Sequence, residues 1–227
     1  MHRKAAIIFV LVFWTAESFV IKPDFPKWDI SALNTASEAD YLTENEKNVI
    51  LEINKLRSDP QAYCREYLEP MLNMYTGKKL IMPGNDPILT QEGISALKNA
   101  ILYLKKAAPV SILYPDARLK KSARDHQQDQ SKSGGTGHVG SDGSNIRQRI
   151  ERYVKWQGSI SENIFYGDGD ARSVVLHLVI DDGVPGRGHR VNFLAPGFNY
   201  VGVSCGVHKT YRNVCVMNFA TGFKTDL

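Results

Sequence analysis

The chain has 227 residues, with 28 Lys and Arg against 24 Asp and Glu, a formal charge of +4, and 43% hydrophobic residues. That balance builds a packed core and excludes a low-hydropathy, disordered chain. The basic residues are scattered and the net charge is small, so no nucleic-acid partner is expected.

The chain opens with MHRKAAIIFVLVFWTAES. His2, Arg3 and Lys4 precede an apolar run from Ala5 to Trp14 that is too short to span a bilayer. Ala16 and Ser18 supply small residues at the −3 and −1 positions of a cleavage site. Residues 1–18 therefore read as a secretory signal peptide. The expected location is extracellular, or the cell envelope or periplasm in a bacterium. No later segment is long and apolar enough to span a membrane. Residues 19–42, with Pro23 and Pro26, read as an extended linker whose aromatics can dock on the domain, and residues 43–227 as one domain.

Thr43 and Glu46 have capping-box spacing ahead of Val49, Ile50, Ile53 and Leu56, one face of a helix. Pro60 restarts a helix that should run to Pro70. Gly and Pro punctuation predicts a loop from Asn73 to Ile88. A helix striped by Ile94, Leu97, Ala100, Ile101 and Leu104 follows. The next helix begins after Pro115 and stops at Gly134 and Gly135. It places Leu119, Ala123, His126 and Gln130 on one face, so His126 reads as a packed or partly exposed helix histidine.

A short helix is expected over 146–153 and a strand over 160–166. SVVLHLVID suits either a buried strand or a buried helix. FNYVGVSCGV and VCVMNFATGF alternate as paired antiparallel strands. A turn centred near Thr210 would face Cys205 to Cys215 as a disulfide, which fits an oxidising compartment. Cys64 then remains as a small buried hydrophobe. Helices first and a hairpin last give an α+β fold.

Polar residues recur at element ends: His138, Glu162, Asp181, Asp182 and His189. Glu162 interrupts an apolar strand and so needs an edge or a partner. If SVVLHLVIDD is a helix, its terminal acids meet the negative end of the dipole, at about 0.3–1 kcal/mol each. Such residues suit a divalent metal, acid–base work, or a polar network that orders loops. HExxH, GxSxG and CxxC are absent. Ser141 and Ser161 are the candidate nucleophiles.

GHVGSDGS, SENIFYG, GHRVNFLAPGFNYVGVSCGV and VCVMNFATGF together resemble the CAP superfamily: cysteine-rich secretory proteins, antigen 5 and plant pathogenesis-related proteins. The likeness is greatest to the short microbial SCP-like extracellular type. It implies a three-layer α-β-α sandwich with a central antiparallel sheet, and a cleft lined by a tetrad of His138, Glu162, Asp181 and His189, with Asp182 as the alternative acid. It also implies Zn²⁺ or another divalent cation on His138 and His189, with Glu162 and Asp181 as acid partners. The implied function is secreted binding of a lipid, sterol or peptide. The alternatives are a metal-assisted, peptidase-like hydrolase and an extracellular interaction module. Asp181 stands where the family has Glu, one methylene longer, and Ser161 where it often has Gly. Residues 71–115 look like an insertion. Arg187 or Arg190 is expected to neutralise an acid the histidines leave unpaired.

Overall fold

In the computed structural model, residues 28–82 and 86–224 are described. The signal-peptide reading and residues 19–27 of the expected linker lie outside them. In chain order the elements are α1 (Ile30–Leu33), α2 (Glu44–Ser58), α3 (Pro60–Tyr63), strands β1 (Tyr75–Thr76), β2 (Lys79–Leu80) and β3 (Ile88–Leu89), and α4 (Ile94–Leu104). Then come β4 (Tyr114–Pro115), α5 (Ala117–Ser133), α6 (Ile146–Glu151), β5 (Trp156–Tyr166), α7 (Ala171–Ile180), α8 (Gly188–Phe193), β6 (Tyr200–His208) and β7 (Arg212–Phe223).

The central sheet runs β4-β6-β7-β5. β5, β7 and β6 pair antiparallel, while two-residue β4 adds a parallel edge to β6, which the antiparallel expectation did not include. Strand alternation divides the core. Met217 and Phe219 of β7 face α2 and α7 with Val201 and Val203 of β6, while Val214 and Val216 face Ala123 of α5. The result is three layers: α5 and α6, the sheet, then α2, α7 and α8. On α2, Val49, Ile50, Ile53 and Leu56 are fully buried, each contributing about 1.5–3 kcal/mol.

Local signals hold where the chemistry is local. Thr43 and Glu46 form both halves of the capping box, Pro60 opens α3, and Gly134 ends α5 in the left-handed region at φ 75°. Cys205 and Cys215 stand directly opposite in the β6–β7 register and are bonded. Cys64 is buried, and burial pushes its thiol up to about 11.

Three expectations change. The helix expected to reach Pro70 loosens into a π-turn at Cys64–Leu68 and a 3₁₀ turn at Glu69–Met74, because Pro70 supplies no N–H to an α-ladder. The loop expected from Asn73 contains the small antiparallel sheet β1-β2-β3. Residues 28–42 are a strap on the domain, not an extended linker. Asn54 donates to Leu33 O at 3.0 Å and Leu113 O at 3.0 Å and accepts from Leu113 N at 2.7 Å, tying the strap to α2. Trp28 Nε1 donates to Glu66 at 2.7 Å.

β6 and α5 pack so closely that a Cβ at Gly202 would lie 2.2 Å from the Leu119 carbonyl carbon and the Lys120 nitrogen, both backbone. At Gly206 the nearest atoms belong to the flexible end of Gln127. Gly202→Ala is expected to lower stability in urea unfolding by about 3 kcal/mol, and Gly206→Ala by less than half of that.

Candidate functional site

β5 is an edge strand of the sheet, and the candidate residues approach it from both faces. Glu162 shares the α5 side with Ile164, while Asn163 and Phe165 face α7 and α8.

Glu162 is buried, with every oxygen engaged. His138 Nδ1 lies 2.9 Å from Oε1, and Arg149 Nη2 donates to Oε1 at 3.0 Å and Oε2 at 2.9 Å. The Asn218 amide, oriented so that both its ends are satisfied, donates to Oε2 at 3.0 Å. Arg149 Nη1 also donates to His138 O and Ser144 O, so one guanidinium fixes both the acid and the loop that carries the histidine.

Gly137, just before His138, is gripped from both sides. Its carbonyl takes His126 Nε2 at 2.8 Å and Gln130 Nε2 at 2.6 Å, and its N–H donates to Tyr166 Oη at 2.7 Å. Burial, the dominant influence, holds His126 below the usual histidine pKa.

The second pair lies beyond α7, which settles SVVLHLVID as a helix. Asp181 is its C-cap, in the left-handed conformation at φ 58° that Asp tolerates better than most residues. From there Oδ1 meets His189 Nδ1 at 2.6 Å and Oδ2 accepts from His189 N at 3.0 Å. The backbone turn supplies the reach that the shorter Asp side chain lacks. The helix dipole is compensated by cations on the last carbonyls: Arg190 donates to Val179 O at 2.5 Å and Ile180 O at 3.0 Å, and Arg187 to Asp181 O at 2.5 Å. Both arginines expected to neutralise an acid therefore cap the helix that carries the acid. Burial lowers the Arg190 pKa to about 10.

Asp182 does not substitute for Asp181. Its oxygens accept from Gln91 N at 2.6 Å and Glu92 N at 2.9 Å, ahead of α4. Glu92 returns the grip, accepting from Gly183 N at 2.6 Å and from Arg187 at 2.7 and 2.6 Å. This clamp fastens segment 71–115 to the turn that leads into His189. Left-handed residues at Asp181, Gly183, Gly186 and Arg187 make that turn.

Beside Asp181 and His189 lies a cavity of about 520 Å³. Its walls include Leu80 and Ile88 from segment 71–115, Phe165 of β5, Leu178 and Ile180 of α7, and the backbone at Thr136 and Gly137. Asp182 and His177 also line it. Ser141 Oγ donates to Asp129, and among the described residues no serine or cysteine hydrogen-bonds to His138 or His189. No group of three or more His, Cys, Asp or Glu side chains among the described residues is placed to hold a metal ion. No described helix is long and apolar enough to cross a membrane.

The family model for the cysteine-rich secretory proteins, CAP, matches residues 51–219. The chain belongs to the CAP family. Among solved structures, similarity extends to an outer surface protein from Borrelia burgdorferi at 18% identity and TM-score 0.43, covering 50% of this chain and 80% of that one. An extracellular SCP-domain protein from Bacillus anthracis is 22% identical at TM-score 0.41, over 49% of this chain and 34% of its own. A structure of NaASP2 with Zn²⁺ is 15% identical at TM-score 0.42, over 80% of this chain and 82% of that one. A comparison with curated protein sequences gives no match.

Arg149, Gln130, Tyr166, Asn163 and Glu92 all position the candidate site, and none stood out in the sequence. Gln130 carried the one usable signal, its place one helical turn beyond His126 on the same face. Asn163 donates to His189 O at 3.0 Å and accepts from Asn192 at 2.8 Å.

Arg149 and Glu162 side chains are only 1% and 2% exposed. Glu162→Leu strands a buried cation and is expected to cost about 3–5 kcal/mol in urea unfolding, whereas Arg149→Met with Glu162→Leu costs distinctly less. At the clamp, the Arg187 hydrogen bonds, with the Gly183 N–H second, hold Glu92 near pKa 2, below its ordinary 4.5. A depressed carboxylate stabilises fully above its unfolded pKa and loses that contribution as pH falls through the folded value. Glu92→Gln is thus expected to flatten acid unfolding between about pH 4.5 and pH 2, read by circular dichroism.

Proposed function

We propose that this CAP protein is secreted and binds a lipid, sterol or peptide in the cleft beside Asp181 and His189. The observation that carries the reading is an apolar cavity of about 520 Å³ whose polar wall is a pre-organised histidine–carboxylate pair. A volume of this size suits a small organic ligand, and a few fixed polar groups in an apolar lining are the usual means of orienting one. Export is supported by the apolar N-terminal run and by the Cys205–Cys215 bond.

Each histidine turns Nδ1 to a carboxylate, which leaves Nε2 as the ring's available donor atom. Imidazole nitrogen is a ligand type that Zn²⁺ accepts, and in this reading His138 and His189 would be the two protein donors. Solvent or the organic ligand would complete the shell. Bound there, the ion would supply Lewis acidity. Glu162 and Asp181 would hold the ring tautomers, and Arg149 would hold Glu162 in place.

Val184 is half-buried on the cavity wall. Val184→Trp is expected to weaken binding of a fluorescent nitrobenzoxadiazole-labelled fatty alcohol at least tenfold with an unchanged melting temperature. Unchanged affinity would contradict the cleft assignment. After dialysis against Zn²⁺, mass spectrometry is expected to find about one ion per chain, lost in His138→Ala/His189→Ala. Equal metal in both proteins would remove the ion from the account.

A further inference from the structure

Two cavities share a wall in this protein. The one beside Asp181, and a second of about 780 Å³, both use Ile88, Phe165, Tyr166 and His177. His177 therefore stands at the junction, one helical turn before Asp181 on α7.

The orientation of its ring is chemically informative. Nδ1 lies 2.7 Å from the Ser173 carbonyl oxygen. A carbonyl can only accept, so Nδ1 carries the proton and the neutral ring presents a lone pair at Nε2. No described residue hydrogen-bonds to Nε2, and the ring rests against Phe165 with centroids 5.7 Å apart. His189 has the same tautomer, fixed by the Asp181 carboxylate. Both histidines that line the first cavity thus offer an acceptor.

The charges nearby carry the opposite preference from an anion site. Asp181 and Asp182 line the first cavity, and among the described residues no Lys or Arg does. In the second, Asp86 and Asp168 accompany Arg212, which is paired with Asp168 at 2.9 Å. Arg187, which reaches the Asp181 carbonyl, pairs its guanidinium with the Glu92 carboxylate. An anionic headgroup entering the first cavity meets acids and lone pairs, whereas a hydroxyl meets an acceptor.

We propose that the cleft selects a neutral, hydroxyl-bearing amphiphile over its anionic counterpart, with the apolar chain in the first cavity and the hydroxyl donating to His177 Nε2. This rests on the cleft being a ligand site, as proposed above. His177 is then a specificity-determining residue at the junction of the cavities.

The test uses dodecan-1-ol, dodecyl methyl ether and dodecanoate, each competing with a fluorescent probe on the full chain at pH 8, where an unperturbed imidazole is neutral. The alcohol is expected to bind at least tenfold tighter than either the ether, which lacks the donor, or the carboxylate. His177→Leu is expected to bring the alcohol to the level of the ether while the ether itself is unaffected. Equal binding of alcohol and ether, or of alcohol and carboxylate, by the unmodified protein overturns the inference while leaving the cleft assignment standing. Should none of the three bind, the inference falls, and with it the reading of the cleft as a site for a fatty amphiphile. The three-probe comparison decides the matter even where the His177 variant does not fold.

Discussion

Asp181 makes the site possible by doing three things from one backbone position. It ends α7 in the left-handed conformation, accepts the His189 N–H, and holds the His189 ring by Nδ1. A carboxylate at a helix C-terminus is electrostatically misplaced, and a left-handed non-glycine residue is strained. Both costs are offset by Arg190 and Arg187, which cover the terminal carbonyls. The acids at the end of this helix are therefore explained by what surrounds them. The dipole that would repel them is already occupied by guanidinium groups, and the carboxylate is left to organise the turn into α8.

The other half of the site solves a related problem on the opposite face of β5. There a buried glutamate sits in an apolar strand, and Arg149 pairs with it while gripping the loop that carries His138. In each half a carboxylate orients an imidazole and an arginine secures the local framework. An edge strand is normally a liability, open to pairing with another chain. Here Asn163 ties α8 to one side of it, and the loop before α6 closes over the other. Segment 71–115 completes the enclosure, its small sheet walling the cavity and Glu92 clamping the turn before His189.

What could be read from the chain was what depends on neighbours in sequence. The capping box at Thr43, the proline opening α3, the glycine ending α5 and the hairpin disulfide each rest on contacts made within a few residues or across one turn. SVVLHLVID was ambiguous because a run buried on all sides loses its period, and only packing between α2 and α4 fixed it as helix. The tetrad positions came from block order and spacing, and the structure gathers those residues into two pairs. The partners that hold the pairs were hidden. Glu92 and Arg187 are 95 residues apart, and Arg149 looked like any surface arginine of a short polar helix. Long-range polar contacts leave no periodicity, so nothing in one sequence distinguishes an arginine that is 1% exposed from one in solvent. The strap at 28–42 was hidden for the same reason, since its anchor, Asn54, is on α2, although its docked Trp28 was within reach of the sequence.

The central claim is that the carboxylates fix both site imidazoles with the proton on Nδ1, leaving Nε2 as the free ring nitrogen. Nitrogen-15 NMR of the imidazoles at pH 8 measures this directly. The account predicts that His138 and His189 are held as Nδ1–H tautomers, and that Asp181→Asn releases His189 alone. Both rings in the Nε2–H form, or both averaging freely between forms in the unmodified protein, would contradict it.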